Sequence, residues 1–223
     1  MTNKIIESFT SLHKTLTRYS GKVVVFRGVT DAKKHKLIPS IGRLKKFGST
    51  KDALKEERYI LQLFKQRSRP YLDFAPANEW EWLALAQHHG LPTRLLDRTY
   101  NPLVAAYFAV EQPHKGDSAI FAYHNKTFIN ITKNPIPFAI KRNGKLIPSH
   151  ISRRITAQAG LFTAHPDPIH EFTDSNIQML IIPQHFRSEL KKQLEKYGIH
   201  RASLFPDLDG VAQHIKWKRT KEK

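Results

Sequence analysis

A chain of 223 residues with 40% hydrophobic residues and 13 phenylalanines has enough apolar material for one compact core, and its 37 lysines and arginines against 19 acidic residues leave a net charge of +18. The absence of cysteine excludes disulfides, thiolate catalysis and cysteine-zinc sites. No run approaches the roughly 20 apolar residues of a membrane span, and the opening segment lacks the apolar centre of a signal peptide, so no membrane partner and a cytoplasmic location are expected. The charge predicts attraction to polyanions, nucleic acid among them, without naming one.

Residues 1–20 form the first segment: Ile5, Ile6, Phe9, Leu12, Leu16 and Tyr19 recur at helical spacing, which predicts an amphipathic helix over 3–19 closed by Ser20-Gly21. The main domain, residues 21–215, begins with the β-branched run Val23-Val24-Val25-Phe26, a strand buried on both faces that ends in Arg27-Gly28. Arg27 is read either as a surface arginine where the strand emerges or as a guanidinium clamp for a phosphate or carboxylate, with Gly28 letting a ligand approach the backbone. A turn-rich segment over 31–50 follows, then a helix of about 15 residues capped by Asp52 and ended by Pro70.

The stretch from Gln87 to Glu111 is explained least by ordinary folding rules. Asn78 caps a helix that stops at Gly90, and Asn101-Pro102 opens a second helix, apolar nearly all round and therefore buried. Between them Thr93, Arg94, Asp97, Arg98 and Thr99 stand among three leucines, directly after His88 and His89. Polar residues at that density are costly to bury unless paired. They make either a helix connection, in which Asp97 and Thr99 cap the next helix and Arg94 forms an ion pair, or a site. A metal-dependent hydrolase built on His88, His89 and Asp97 is a weaker reading, because adjacent helical histidines point about 100° apart and no HExxH spacing occurs.

Beyond the buried helix, 117–123 and 128–131 read as short strands, and Asn143-Gly144 signals a hairpin between 138–140 and 146–147. Residues 153–163 have a polar, glycine-bearing centre, which suggests a strand or bulge facing a cavity, or a loop. A strand at 179–183, a helix from 186 to 197 ended by Gly198, and a last short helix over 211–215 capped by Asp207 or Asp209 complete the domain. Residues 216–223 form a basic tail, read as solvated and frayed.

Phe26-Arg27-Gly28, Pro39-Ser40-Ile41-Gly42-Arg43, the run from Gln87 to Asp97, Asn101-Pro102-Leu103 and Ala105-Ala106-Tyr107-Phe108-Ala109 together resemble the FRG domain family, named for its Phe-Arg-Gly motif. The segments 154–163 and 204–210 look like further pieces of it, so that the resemblance spans about residues 20–215. Arg98 departs from the pattern, since members often carry Trp after Leu-Leu-Asp, and it is expected to alter a pocket rim or add charge there. The family's layout resembles that of ADP-ribosyltransferases. The resemblance implies an α+β single domain with mixed central β-sheets flanked by helices, and NAD as substrate with no metal.

On that footing Arg27 and Gly28 take the NAD phosphates, His89 and Thr99 the nicotinamide ribose, and Thr93 and Arg94 complete the cofactor-binding set. Gln158 sits where a glutamate usually orients the attacking group. Because an amide cannot serve as a general base, Asp97 and Glu171 are the alternative catalytic carboxylates. The activity implied is NAD-dependent ADP-ribosyl transfer to a macromolecule, or NAD cleavage, by a bacterial toxin or phage-defence effector. Nucleic acid and an antitoxin protein are candidate partners. The competing reading is a non-catalytic nucleic-acid- or nucleotide-binding module in which Trp80, Trp82 or Trp217 stacks on bases.

Overall fold

In a computed structural model that describes residues 3–19, 23–44, 47–73, 75–149 and 152–220, seven strands join in one mixed sheet flanked by eight helices. The first half runs β1 (Asn3–Ile5), α1 (Phe9–Leu16), β2 (Val24–Val29), α2 (Thr50–Ser68), α3 (Glu79–His88), β3 (Leu95–Thr99), α4 (Pro102–Val110) and β4 (Ser118–His124). The second half runs β5 (Gly144–Leu146), α5 (Arg153–Ala157), β6 (Gly160–Ala164), β7 (Ile177–Ile182), α6 (Gln184–Lys196), α7 (Arg201–Leu204) and α8 (Leu208–Arg219). The sheet order is β1-β7-β4-β2-β3-β6-β5, antiparallel throughout except for the β1–β7 pair. Among the described residues no helix is long and apolar enough to cross a membrane.

Side-chain alternation along β2 sends Val24 and Phe26 to one face and Val25 and Val29 to the other, and both sets are buried. The first face packs on α1, α4, α6 and α7 through Leu12, Val104, Leu190 and Leu204. The second is covered by irregular chain through Leu37 and Phe172. At the β3–β6–β5 end, Leu95, Phe162 and Leu146 meet α2 and α3 through Leu61, Trp80 and Leu83.

Several boundaries move. The first helix begins at Phe9 rather than residue 3, because Ser8 and Ser11 form a reciprocal capping box and Asn3–Ile5 pairs instead with β7; the Ser20-Gly21 stop lies outside the described residues. Ser49, not Asp52, caps α2, and Asp52 binds the Ser49 hydroxyl in its first turn. The expected strand at 128–131 reduces to one bridge, Phe128 to Lys145, and Asn143-Gly144 leads straight into β5, which pairs with β6 rather than closing a hairpin. Asp207 caps α8, which continues through Lys216, Lys218 and Arg219, so that part of the supposed frayed tail is helical.

Asn78 caps α3 by accepting from the Glu81 amide at 3.0 Å, and Gly90, at φ 86°, turns the chain out of it. The apolar helix α4 lies so close to β2 that a Cβ on Gly28 would stand 1.9 Å from the Ala105 carbonyl oxygen and 2.7 Å from the Ala109 nitrogen. Gly28 is therefore required by helix packing, whatever occupies the space beside it. Gly28→Ala must push backbone against backbone and is expected to cost about 3 kcal/mol or more, read as a lower urea midpoint at unchanged m-value.

Candidate functional site

β2 and β3 register with each other only at Phe26↔Thr99, whereas β2 pairs with β4 over all six of its residues. Beyond that one pair the two central strands part, and Arg27 reaches across the gap to donate from Nη1 to the Asp97 carbonyl oxygen at 2.9 Å. A cleft of about 730 Å³ opens at this seam, a size within the range of small-molecule sites. Its walls combine Phe26, Arg27 and Gly28 of β2, the α3 end at Gln87, His88 and His89, Asp97, Arg98 and Thr99 of β3, and Arg154 and Gln158 from the segment before β6.

The polar groups are set by short chains of hydrogen bonds. Thr93 donates its hydroxyl to Gln87 Oε1 at 2.6 Å, which turns Gln87 Nε2 toward the Asp97 carboxylate at 3.2 Å. Asp97, 62% exposed at its side chain, also lies 3.4 Å from Arg27 Nη1. Thr99 donates to the Gln158 carbonyl at 2.7 Å, and the Gln158 amide donates to Leu204 O on α7 at 3.0 Å. Glu111, at the end of α4, is ion-paired with Arg201 and accepts from Tyr107. That pairing leaves Asp97 as the exposed carboxylate of the cleft.

Positive charge dominates the walls. Burial, reinforced by Arg27, lowers the pKa of Arg43, and burial does the same for Arg154. Burial first, then Arg154 and His89, lowers that of His88, which is therefore neutral at pH 7. Arg98 is only 3% exposed, so it is not on a rim but in the wall itself, with its pKa brought down to about 9 chiefly by burial. Among the described residues no three His, Asp or Glu side chains converge as a metal site would need, and the His88 and His89 rings stand at 89° to each other.

Of the residues expected at the site, Arg27, Gly28, His89, Asp97, Thr99 and Gln158 line the cleft together. Three others do not. Glu171 faces Lys36 at 3.2 Å on the irregular chain outside the cleft. Thr93 is fully buried behind Gln87, which it positions. Arg94 is fully buried and spent on Glu57, with Nε at 3.0 Å and Nη2 at 2.8 Å, and on the Pro137 carbonyl. Asp97 and Thr99 do not cap α4 either; Asn101 does, accepting from the Leu103 amide. Arg43, Gln87, His88, Glu111 and Arg154 join the cleft without having been assigned to it, although all but Glu111 stand inside the motifs quoted for the family.

Residues 22–118 match the FRG domain. The match covers just under half of the chain. The matched segment holds β2, α2, α3, β3 and α4, hence every cleft residue from Phe26 to Gln112, while Arg154 and Gln158 lie beyond it. No curated protein and no solved structure matches the chain. Alongside this cleft a second one of about 520 Å³ runs between α6 and α8 and shares Glu111 and Gln112 with it. There Lys191 lies over the Trp217 ring at 4.8 Å and His214 stacks on it, so this ring is covered by neighbours. Trp80 is buried in the core and donates to Asn134 O.

Two outcomes follow from these contacts. Arg94→Met strands the buried Glu57 carboxylate and is expected to cost about 3–5 kcal/mol in chemical unfolding. His165, buried beside Arg98, has a pKa lowered to about 3 by burial and then by Arg98 and Arg27. The unfolded chain takes up this proton near pH 6.5 and the native state does not, so stability is lost as pH falls below that value. The His165 contribution amounts to about 2 kcal/mol between pH 7 and 5, with His88 acting in the same direction. Urea midpoints across that range should fall in the natural protein and fall less in His165→Gln.

Proposed function

We propose that the cleft binds NAD and that the protein is an NAD-cleaving enzyme of ADP-ribosyltransferase type. The observation that carries this reading is a parted sheet seam lined by Arg27, Arg43 and Arg154 around one exposed carboxylate, Asp97. Guanidinium groups suit the pyrophosphate, and a single anion suits the positive charge that develops on a ribosyl carbon.

In the reaction the bond between the ribosyl C1′ and the nicotinamide nitrogen breaks, and nicotinamide departs neutral with the bonding electrons. The Asp97 carboxylate, held by Gln87 Nε2 and Arg27 Nη1, offsets the cationic character left on the sugar. A hydroxyl or amine of the acceptor, or water, then bonds to C1′ and loses its proton to solvent. Gln158 orients a ribose hydroxyl through its amide, and its own anchor on Leu204 O fixes where that amide stands. His89 and Thr99 border the same space. The basic surface favours a nucleic-acid acceptor, and a toxin or phage-defence role is in keeping with an NAD-consuming activity. The neutral amide at Gln158 favours a second reading, nucleotide binding without turnover, because it supplies no general base.

Nicotinamide release by the purified protein, with and without DNA, RNA or protein acceptor, separates the two. Asp97→Asn is expected to lower kcat by about 100-fold or more, Arg27→Ala to raise KM by about 10-fold or more, and Gln158→Ala to have the smallest effect. NAD binding without release supports the second reading; no NAD binding by the unaltered protein defeats both.

A further inference from the structure

The Arg98 side chain leaves β3 on the face opposite Asp97 and Thr99, yet it still lines the cleft, because the seam beside it is open. Its Nε donates to Thr163 Oγ1 at 3.2 Å. Thr163 Oγ1 also shares a hydrogen bond of 3.0 Å with His165 Nε2, and burial keeps that imidazole neutral. The Tyr123 ring lies 5.9 Å from the guanidinium carbon. These contacts fix the orientation of the guanidinium and spend only one of its three nitrogens.

Nη1 and Nη2 of Arg98 are buried without a hydrogen-bond partner, and so is Nε of the neighbouring Arg27. Among the described residues no carboxylate forms a salt bridge with Arg98, and the like charge of Arg27 acts on it more strongly than the opposite charge of Asp97. A buried cation in this state is costly, and proteins normally supply its counter-ion. Here the counter-ion must enter through the cleft. Unspent N–H directions on two guanidinium groups fit neighbouring oxygens on adjacent phosphates better than the two oxygens of one carboxylate.

We infer that Arg98, together with Arg27, forms a deep anion subsite that takes the pyrophosphate of the nucleotide bound in the cleft. The inference rests on the nucleotide-binding reading above and assigns its innermost contact to a residue outside the cofactor-binding set expected for the family. Thr163 and His165 are positioning residues that aim the fork.

Calorimetric titration with inorganic pyrophosphate, NAD and nicotinamide riboside tests it. In Arg98→Met the affinity for pyrophosphate and for NAD should fall about 10- to 100-fold, while that for the phosphate-free riboside stays unchanged. The melting temperature of the ligand-free variant should be equal or higher, because a buried unpaired charge is removed; a purely structural arginine would lower it. Should Arg98→Met fail to fold, Arg98→Lys keeps the charge without the fork and should still lose about tenfold for pyrophosphate. Equal pyrophosphate affinity in the natural protein and the variants, or none in the natural protein, overturns the subsite. Pyrophosphate binding that depends on Arg98 in a protein that neither binds nor cleaves NAD upholds the subsite and defeats the enzymatic reading instead.

Discussion

One register pair, Phe26 with Thr99, joins the two halves of the sheet. On one side β2 is zipped to β4, which pairs with β7, and on the other β3 is zipped to β6, which pairs with β5. A seam with so few ladder bonds leaves main-chain groups to be satisfied by other means, and the Arg27 guanidinium on the Asp97 carbonyl supplies one such bond. The helix α4 bridges the opening from one face through its contact with Gly28, and α3 flanks it with Gln87 and His88. The architecture thus keeps the sheet continuous while letting polar side chains from both of its faces share one space.

The same opening explains what was legible in the sequence. The largely buried strands β2, β4 and β7 and the helices α3, α4 and α6 were recognisable because apolar residues fill most positions or one face, and because Asn78, Asn101, Gly90 and Gly198 punctuate them. β3 was not: Asp97, Arg98 and Thr99 break the apolar alternation that would announce a strand, since both of its faces meet the cleft. The polarity that concealed the strand is what marked the segment as unusual. Likewise 153–163, read as a strand or bulge, divides into the short helix α5, a turn with Ala159 at φ 45°, and β6, and the turn is what brings Gln158 to the wall. Thr93 and Arg94 show the converse: both stand within four residues of Asp97, yet one is buried behind Gln87 and the other on Glu57, so proximity in sequence to true wall residues does not place a side chain.

Charge in this molecule has two treatments. Arg94 is buried with its carboxylate, and Arg187 is buried against the carbonyls of Gln112 and His114, so both act as internal fasteners. Arg98 is buried to the same degree with its fork unspent. The contrast lies in hydrogen-bond accounting: Arg94 and Arg187 spend their terminal nitrogens on oxygen acceptors, and Arg98 does not.

The edge strand β1 carries a consequence for the order of folding. Asn3–Ile5 pairs with Met179–Ile181, a partner more than 170 residues further along the sequence. During synthesis, which proceeds from the N-terminus, these residues therefore wait until β7 has been made before their ladder exists. Long-range closure of this kind slows folding, and it makes completion of β7 the event that seals both the far edge of the sheet and the start of the chain.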